Sequence, residues 1–231
     1  MNRLQLISVA VTASCGAAVY AGPVVDLAPG DFTPELSGIM NTQMSELIGA
    51  TESDTTYDFS IFSSPNGASA GDGPALLYEA SLQTRIVRSN ETGNLHFNYR
   101  ITDPNVELLG QVSHIEISGF AGLQTRIEYR NELTAPGDEG PIAAARSIDG
   151  DLLSFDFGEI LDTHEESKYF FAMLDIDTFG QAEEGLGNVA VATIYLHSGD
   201  TVSIDIPGPV PTPSALSLLS IAGIITARRR R

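Results

Sequence analysis

Leu95-His96-Phe97-Asn98-Tyr99-Arg100-Ile101 places a large apolar side chain at every second position and a polar one between. A period of two marks a β-strand with one face buried and the other in water. The pattern recurs on either side of this stretch. Tyr57, Phe59 and Ile61 alternate with Asp58 and Ser60, and Ile115 and Ile117 alternate with His114 and Glu116. Leu153, Phe155 and Phe157 alternate with Ser154 and Asp156, and Val202, Ile204 and Ile206 with Ser203 and Asp205. Residues 76–88 and 123–129 are further strand candidates. Residues 169–176 and 189–196 are more continuously apolar, which predicts strands covered on both faces.

Turn-forming residues separate these runs. Asn90-Glu91-Thr92-Gly93-Asn94 joins two strand patterns and predicts a hairpin loop. One segment reads as helical. In residues 33–51, Leu36, Ile39, Met40, Met44, Leu47 and Ile48 recur three and four apart, with Ser37-Gly38 weakening the start. Roughly ten strands and one helix predict a mainly β fold, an antiparallel β-sandwich or jelly roll. The β domain is expected over residues 55–206, after an N-terminal segment, 22–54, that holds the short helix.

The chain has 231 residues, 12 Lys+Arg against 30 Asp+Glu, one Cys and no Trp, for a formal net charge of −18. A nucleic-acid partner requires a basic footprint, which this balance excludes. One cysteine cannot build a disulfide scaffold. Apolar residues make up 42%, which separates the chain from acidic disordered tails. The charges are partitioned, however. Arg3 and Arg228, Arg229, Arg230 and Arg231 lie at the two ends, so residues 22–207 hold seven basic against 30 acidic residues, or −23.

Residues 1–21 place an uncharged, largely apolar stretch after Arg3 and end in Val19-Tyr20-Ala21. Small residues at Val19 and Ala21 satisfy the rule for signal-peptidase cleavage after Ala21, so a secretory signal peptide is expected. That cleavage also removes Cys15, the only cysteine.

The other end has three parts. Residues 207–213 (PGPVPTP) form a proline-rich linker, residues 214–227 (SALSLLSIAGIITA) are uncharged and apolar, and residues 228–231 are all Arg. Fourteen residues as a helix span about 21 Å, short of the ~30 Å hydrocarbon core. This predicts a short transmembrane tail helix, closer to a transient hold than a permanent anchor. The arginines stay on the cytoplasmic side, which puts the acidic domain outside.

A proline motif, a short apolar segment and a terminal arginine cluster together resemble the PEP-CTERM sorting signal. Pro211-Thr212-Pro213 stands where that family has Pro-Glu-Pro, and the likeness covers only residues 210–231. The resemblance implies an exosortase, an integral-membrane cysteine transpeptidase, as processing partner beside signal peptidase. It further implies release or transfer to the cell surface or an exopolysaccharide matrix. Pro211 and Pro213 would be recognition residues, and Arg228 to Arg231 a stop-transfer block.

Catalytic chemistry is weakly represented, and no catalytic residue is expected. There is no Gly-x-Ser-x-Gly, no phosphate-binding Gly-x-x-x-x-Gly-Lys, and no zinc-ligand spacing among His96, His114, His164 and His197. Those histidines fall mostly at polar strand positions and read as surface residues. Calcium is the sharper candidate ligand. Asp149 and Asp151 precede one strand and Asp175 and Asp177 end another, so hard oxygen ligands would gather if the two ends met. The leading expectation is an exported, matrix-directed structural or adhesive protein without a cofactor. An extracellular glycan- or calcium-binding module comes second and a secreted hydrolase third. An exposed groove lined by Tyr57, Tyr99, Tyr129 or Tyr195 would favour binding.

Overall fold

The computed structural model describes residues 24–64, 73–180 and 189–210. Val19, Ala21, Pro211, Thr212, Pro213 and Arg228 to Arg231 lie outside them, as does the expected tail helix. The early strands are β1 (Val25–Asp26), β2 (Phe32–Thr33), β3 (Gly49–Phe62), β4 (Leu76–Ser89) and β5 (Leu95–Thr102). Next come β6 (Val112–Ile117), β7 (Thr125–Tyr129), β8 (Ala143–Arg146) and β9 (Leu153–Leu161). The last four are β10 (Phe170–Leu174), β11 (Phe179–Gly180), β12 (Val189–Leu196) and β13 (Thr201–Pro209).

The fold is mainly β, built as two antiparallel sheets. One runs β1-β7-β10-β5-β4-β3 and the other β11-β13-β12-β6-β9-β8-β2. Every second residue of most strands enters a shared core. Phe155 and Phe157 of one sheet meet Phe170 of the other at ring separations of 4.8 and 5.6 Å, and Tyr99 lies 5.8 Å from Phe170. All four rings are at most 1% exposed. Truncating any one to Ala would remove about 3–5 kcal/mol.

Two strands depart from the expected burial. Val189–Leu196 is covered on one face only, since Val191, Thr193 and Tyr195 stay half-exposed beside buried Ala190, Ala192, Ile194 and Leu196. Conversely, all eight residues of β5 are buried, including the polar His96, Asn98 and Arg100. Something covers the outer face of the six-stranded sheet.

The cover is the segment expected to be helical. Among the described residues there is no α-helix, and residues 33–51 hold only a single 3-10 turn, Ser45–Leu47. Gly38 breaks the helical path at φ +72°, where a Cβ would stand 2.7 Å from the Tyr129 ring. The chain instead crosses the sheet as a strap whose backbone groups bond to strand ends. Ile39 N–H donates to Tyr129 O at 2.8 Å, and Asn131 N–H donates to Ile39 O at 3.0 Å. Ile39 and Leu47 pack on Phe171 and Met173, the outward side chains of β10. The apolar spacing was therefore real, but it serves an irregular cover. Glu128, 1% exposed, ties the strap down by accepting Gly38 N–H at 3.1 Å and Ser37 N–H at 3.4 Å.

The domain boundaries also move. β1, β2 and the first residues of β3 belong to the sheets although they precede residue 55. Pro207 and Pro209, expected in the linker, continue β13 opposite Val189 and Phe179. Proline is tolerated there because it stands at a strand end beside a sheet edge.

Candidate functional site

Alternation along β4, β5, β7 and β10 sends one set of side chains to the strap side of the six-stranded sheet. Register aligns Asp54, Arg85, Asn98, Phe171 and Glu128 in one row. Val87, His96, Met173 and Arg126 form the next. Four of the seven basic residues of the β domain thus share this face, and each meets a carboxylate. The pairs are Arg85–Asp54, Arg100–Glu166, Arg126–Glu46 and Arg130–Glu132.

Between the strap and the loop after β7 the face opens into a cleft of about 360 Å³. Leu47, Val87, Asn98 and Tyr169 line it together with Arg85, Arg130 and Glu132. Tyr169 is held rigidly. Its hydroxyl donates to Gln83 Oε1 at 2.6 Å, and the Arg85 guanidinium lies 5.0 Å from its ring centre. Asn98 donates to the carbonyls of Arg85 and His96, both at 3.2 Å. Arg130 and Asn41 N–H both donate to Glu132 Oε1. Burial works to raise the Glu132 pKa, but Arg130 outweighs it and holds the carboxylate below its ordinary range. Such a carboxylate is a poor proton donor at neutral pH.

Beside the cleft, His96 is sealed under the strap at 2% exposure, and its Nε2 has no hydrogen-bond partner. Burial holds its pKa down at about 4; Glu46 pulls against that shift and Arg126 and Arg130 reinforce it. His96 is thus a neutral core residue and not the surface histidine expected from the alternation. The other three follow the expectation more closely. His114 stacks on Tyr195 at 4.2 Å on the outer face of the seven-stranded sheet, and His164 is exposed near Asp162. His197 contacts the Gly158 carbonyl.

Each calcium candidate has its own hydrogen-bond partners, local for Asp149 and distant in sequence for Asp151 and Asp175. Asp149 accepts Ser147 Oγ–H at 2.5 Å and Asp151 N–H at 3.1 Å. Asp151 accepts the backbone N–H groups of Gly119 at 3.1 Å and Ala121 at 3.3 Å. Asp175 accepts from Asn94, while Asp177 offers its carbonyl to Arg88. Among the described residues no group of three or more His, Cys, Asp or Glu is placed to hold a metal ion.

Of the four tyrosines, Tyr99 is buried at 1%, and Tyr57 and Tyr129 pack against the core. Only Tyr195 lies on an outer face. Tyr169, the ring that does line a cleft, carries no separate signal in sequence because it opens a continuous apolar run.

Arg146 is a buried cation of another kind. It is 4% exposed and donates to four backbone carbonyls, those of Leu27, Phe120, Leu123 and Gly150, at 2.8 to 3.0 Å. It spans from β8 to the crossover between the sheets and to the segment after β1.

No protein-family model, curated protein or solved structure matches the chain.

Proposed function

We propose that this chain is an exported β-sandwich protein of structural or adhesive type, directed to the cell surface or an exopolysaccharide matrix. The supporting observation is that every described strand lies between the two signals. β1 begins at Val25, just after Ala21, and β13 ends at Pro209, just before Pro211. Cleavage at both signals would leave every described strand intact. Signal peptidase and an exosortase-type enzyme are the processing partners, the tail is a transient membrane hold, and no catalytic residue or cofactor is proposed.

Mass spectrometry of the exported protein tests this reading. The expected N-terminus is Gly22, and the expected C-terminus lies near Pro213. Recovery of Met1 or Arg231 in the exported form would overturn the two-ended processing.

The cleft favours a second reading, an extracellular glycan-binding module. Val87 and Leu47 offer an apolar floor for a sugar ring, and Asn98, Arg85 and Arg130 offer polar groups for its hydroxyls. Titrating neutral polysaccharide fragments into labelled protein should shift the amide signals of Thr51, Asn98 and Tyr169. Filling the cleft by Ala135→Trp should weaken binding at least tenfold, roughly the 1.4 kcal/mol that one decade represents. Shifts confined to other faces would remove this reading.

A further inference from the structure

The two sheets have four lateral edges, and three end in strands of two residues, β1, β2 and β11. β11 also lies over the end of β13, which carries Pro207 and Pro209. The fourth edge is β3, with 14 residues, and no described strand pairs with its other side. Natural edges of this length are blunted by charged side chains, above all lysine, by proline or by bulges, because unpaired N–H and C=O groups recruit another strand; β3 carries Asp54 and Asp58 within its ladder. β3 reads GATESDTTYDFSIF and contains neither lysine nor proline. Its two irregularities lie at the ends, between Thr51 and Ser53 and between Ile61 and Phe62. Nine residues, Ser53 to Ile61, therefore form an unbroken ladder with β4 and present a straight edge of about 30 Å.

We propose that the β3 edge is an interface for a second copy of this chain, paired antiparallel about a two-fold axis. An antiparallel pairing of a strand with itself needs no other partner and closes after two copies. Charge selects the register. Centring the pair on Thr56 would set Asp54 against Asp58 of the other copy. Centring it on Tyr57 sets Asp58 against Thr56 and Asp54 against Ser60, so no acid faces an acid. Asp54 is also neutralised by Arg85 within its own chain, through contacts of 2.7 and 2.9 Å. With one long edge among the described residues, the product is a dimer and not a filament. The net charge of −18 on each copy opposes association, so added salt strengthens it.

The test is light scattering on the full chain in mild detergent, wild type beside Thr55→Lys, over a concentration series at low and high salt. Thr55 is a half-buried edge residue in the middle of the ladder, where a lysine obstructs an incoming strand. The wild type is expected to pass from monomer to dimer with concentration, more readily at high salt. T55K should weaken association at least tenfold while keeping the wild-type circular dichroism. A wild type that stays monomeric, or a T55K protein that dimerises equally well, overturns the proposal. Amide hydrogen exchange of the wild type decides the matter without the variant. Protection across Ser53 to Ile61 should rise with concentration, and exchange independent of concentration would sink the interface.

Discussion

Arg146→Met is expected to destabilise the protein by about 4 kcal/mol, a large share of the ~5–15 kcal/mol that holds a domain together. The guanidinium bonds to four backbone carbonyls on three separate segments; methionine would leave those of Leu27, Leu123 and Gly150 without that donor, while Phe120 O keeps its bond from Leu123 N–H. Each buried acceptor left unpaired costs about 1–3 kcal/mol, partly relieved where the site can admit water. Arg146→Lys keeps the charge but presents one compact ammonium in place of a planar fork, so it should recover less than half. Urea unfolding followed by far-ultraviolet circular dichroism measures both. A Met variant within 1 kcal/mol of wild type would show that the carbonyls find other partners. The cage has no carboxylate, so its contribution should also resist salt far better than a half-exposed ion pair such as Arg85–Asp54.

Acidification is the second large effect. His96 has a folded pKa of about 4, whereas an unfolded chain holds histidine near 6.5. The unfolded state therefore takes the proton first, and stability falls as pH drops through the window between those values. Above about pH 6.5 the contribution is complete; by pH 4 about 3 kcal/mol has been lost. His96→Leu should flatten the curve in that window. It leaves the loss below pH 4.5, where carboxylates such as Glu46, whose pKa is lowered by its hydrogen bond to Arg126, become protonated. Unfolding free energies at half-unit pH steps distinguish the two. Parallel curves for wild type and H96L would remove His96 as the source. Because the histidine lies beneath Glu46 and Leu47, strap amides should begin to exchange before those of the core.

The strands were largely readable because alternation reports a simple physical fact, a sheet with one face in a core. Alternation reports nothing about the second face. His96, Asn98 and Arg100 look like solvent-facing residues in a strand of period two, and only the strap makes them buried. The strap itself was misread for a related reason. Ile39 and Leu47 satisfy a helical spacing, yet Ile39 bonds to the end of β7 and Leu47 only to Met44 in a single tight turn, and no local pattern discloses the first of these. β8 went unnoticed because Ala143-Ala144-Ala145 has little strand propensity and is recruited by pairing with β9 on one side and β2 on the other. The cleft was least accessible. Its lining comes from the strap, β4, β5 and the loops around β7 and β10, which meet only through sheet order. The aspartates that resemble metal ligands are the reverse case, since Asp149 is engaged by its own turn and Asp151 and Asp175 by residues distant in sequence.

The placement of the cations has a consequence for orientation. Arg85, Arg100, Arg126 and Arg130 share the strap side, whereas the outer face of the seven-stranded sheet carries Glu116, Asp156 and Asp205 with no Lys or Arg among the described residues. Each of those arginines is offset by a carboxylate on its own side, so the strap side is close to neutral where the opposite face carries uncompensated acids, and charge is uneven across the thickness. Close to an anionic leaflet the field would exert a torque that turns the seven-stranded sheet away from the lipid and the strap side toward it. That torque acts only within a Debye length of about 8 Å at physiological salt.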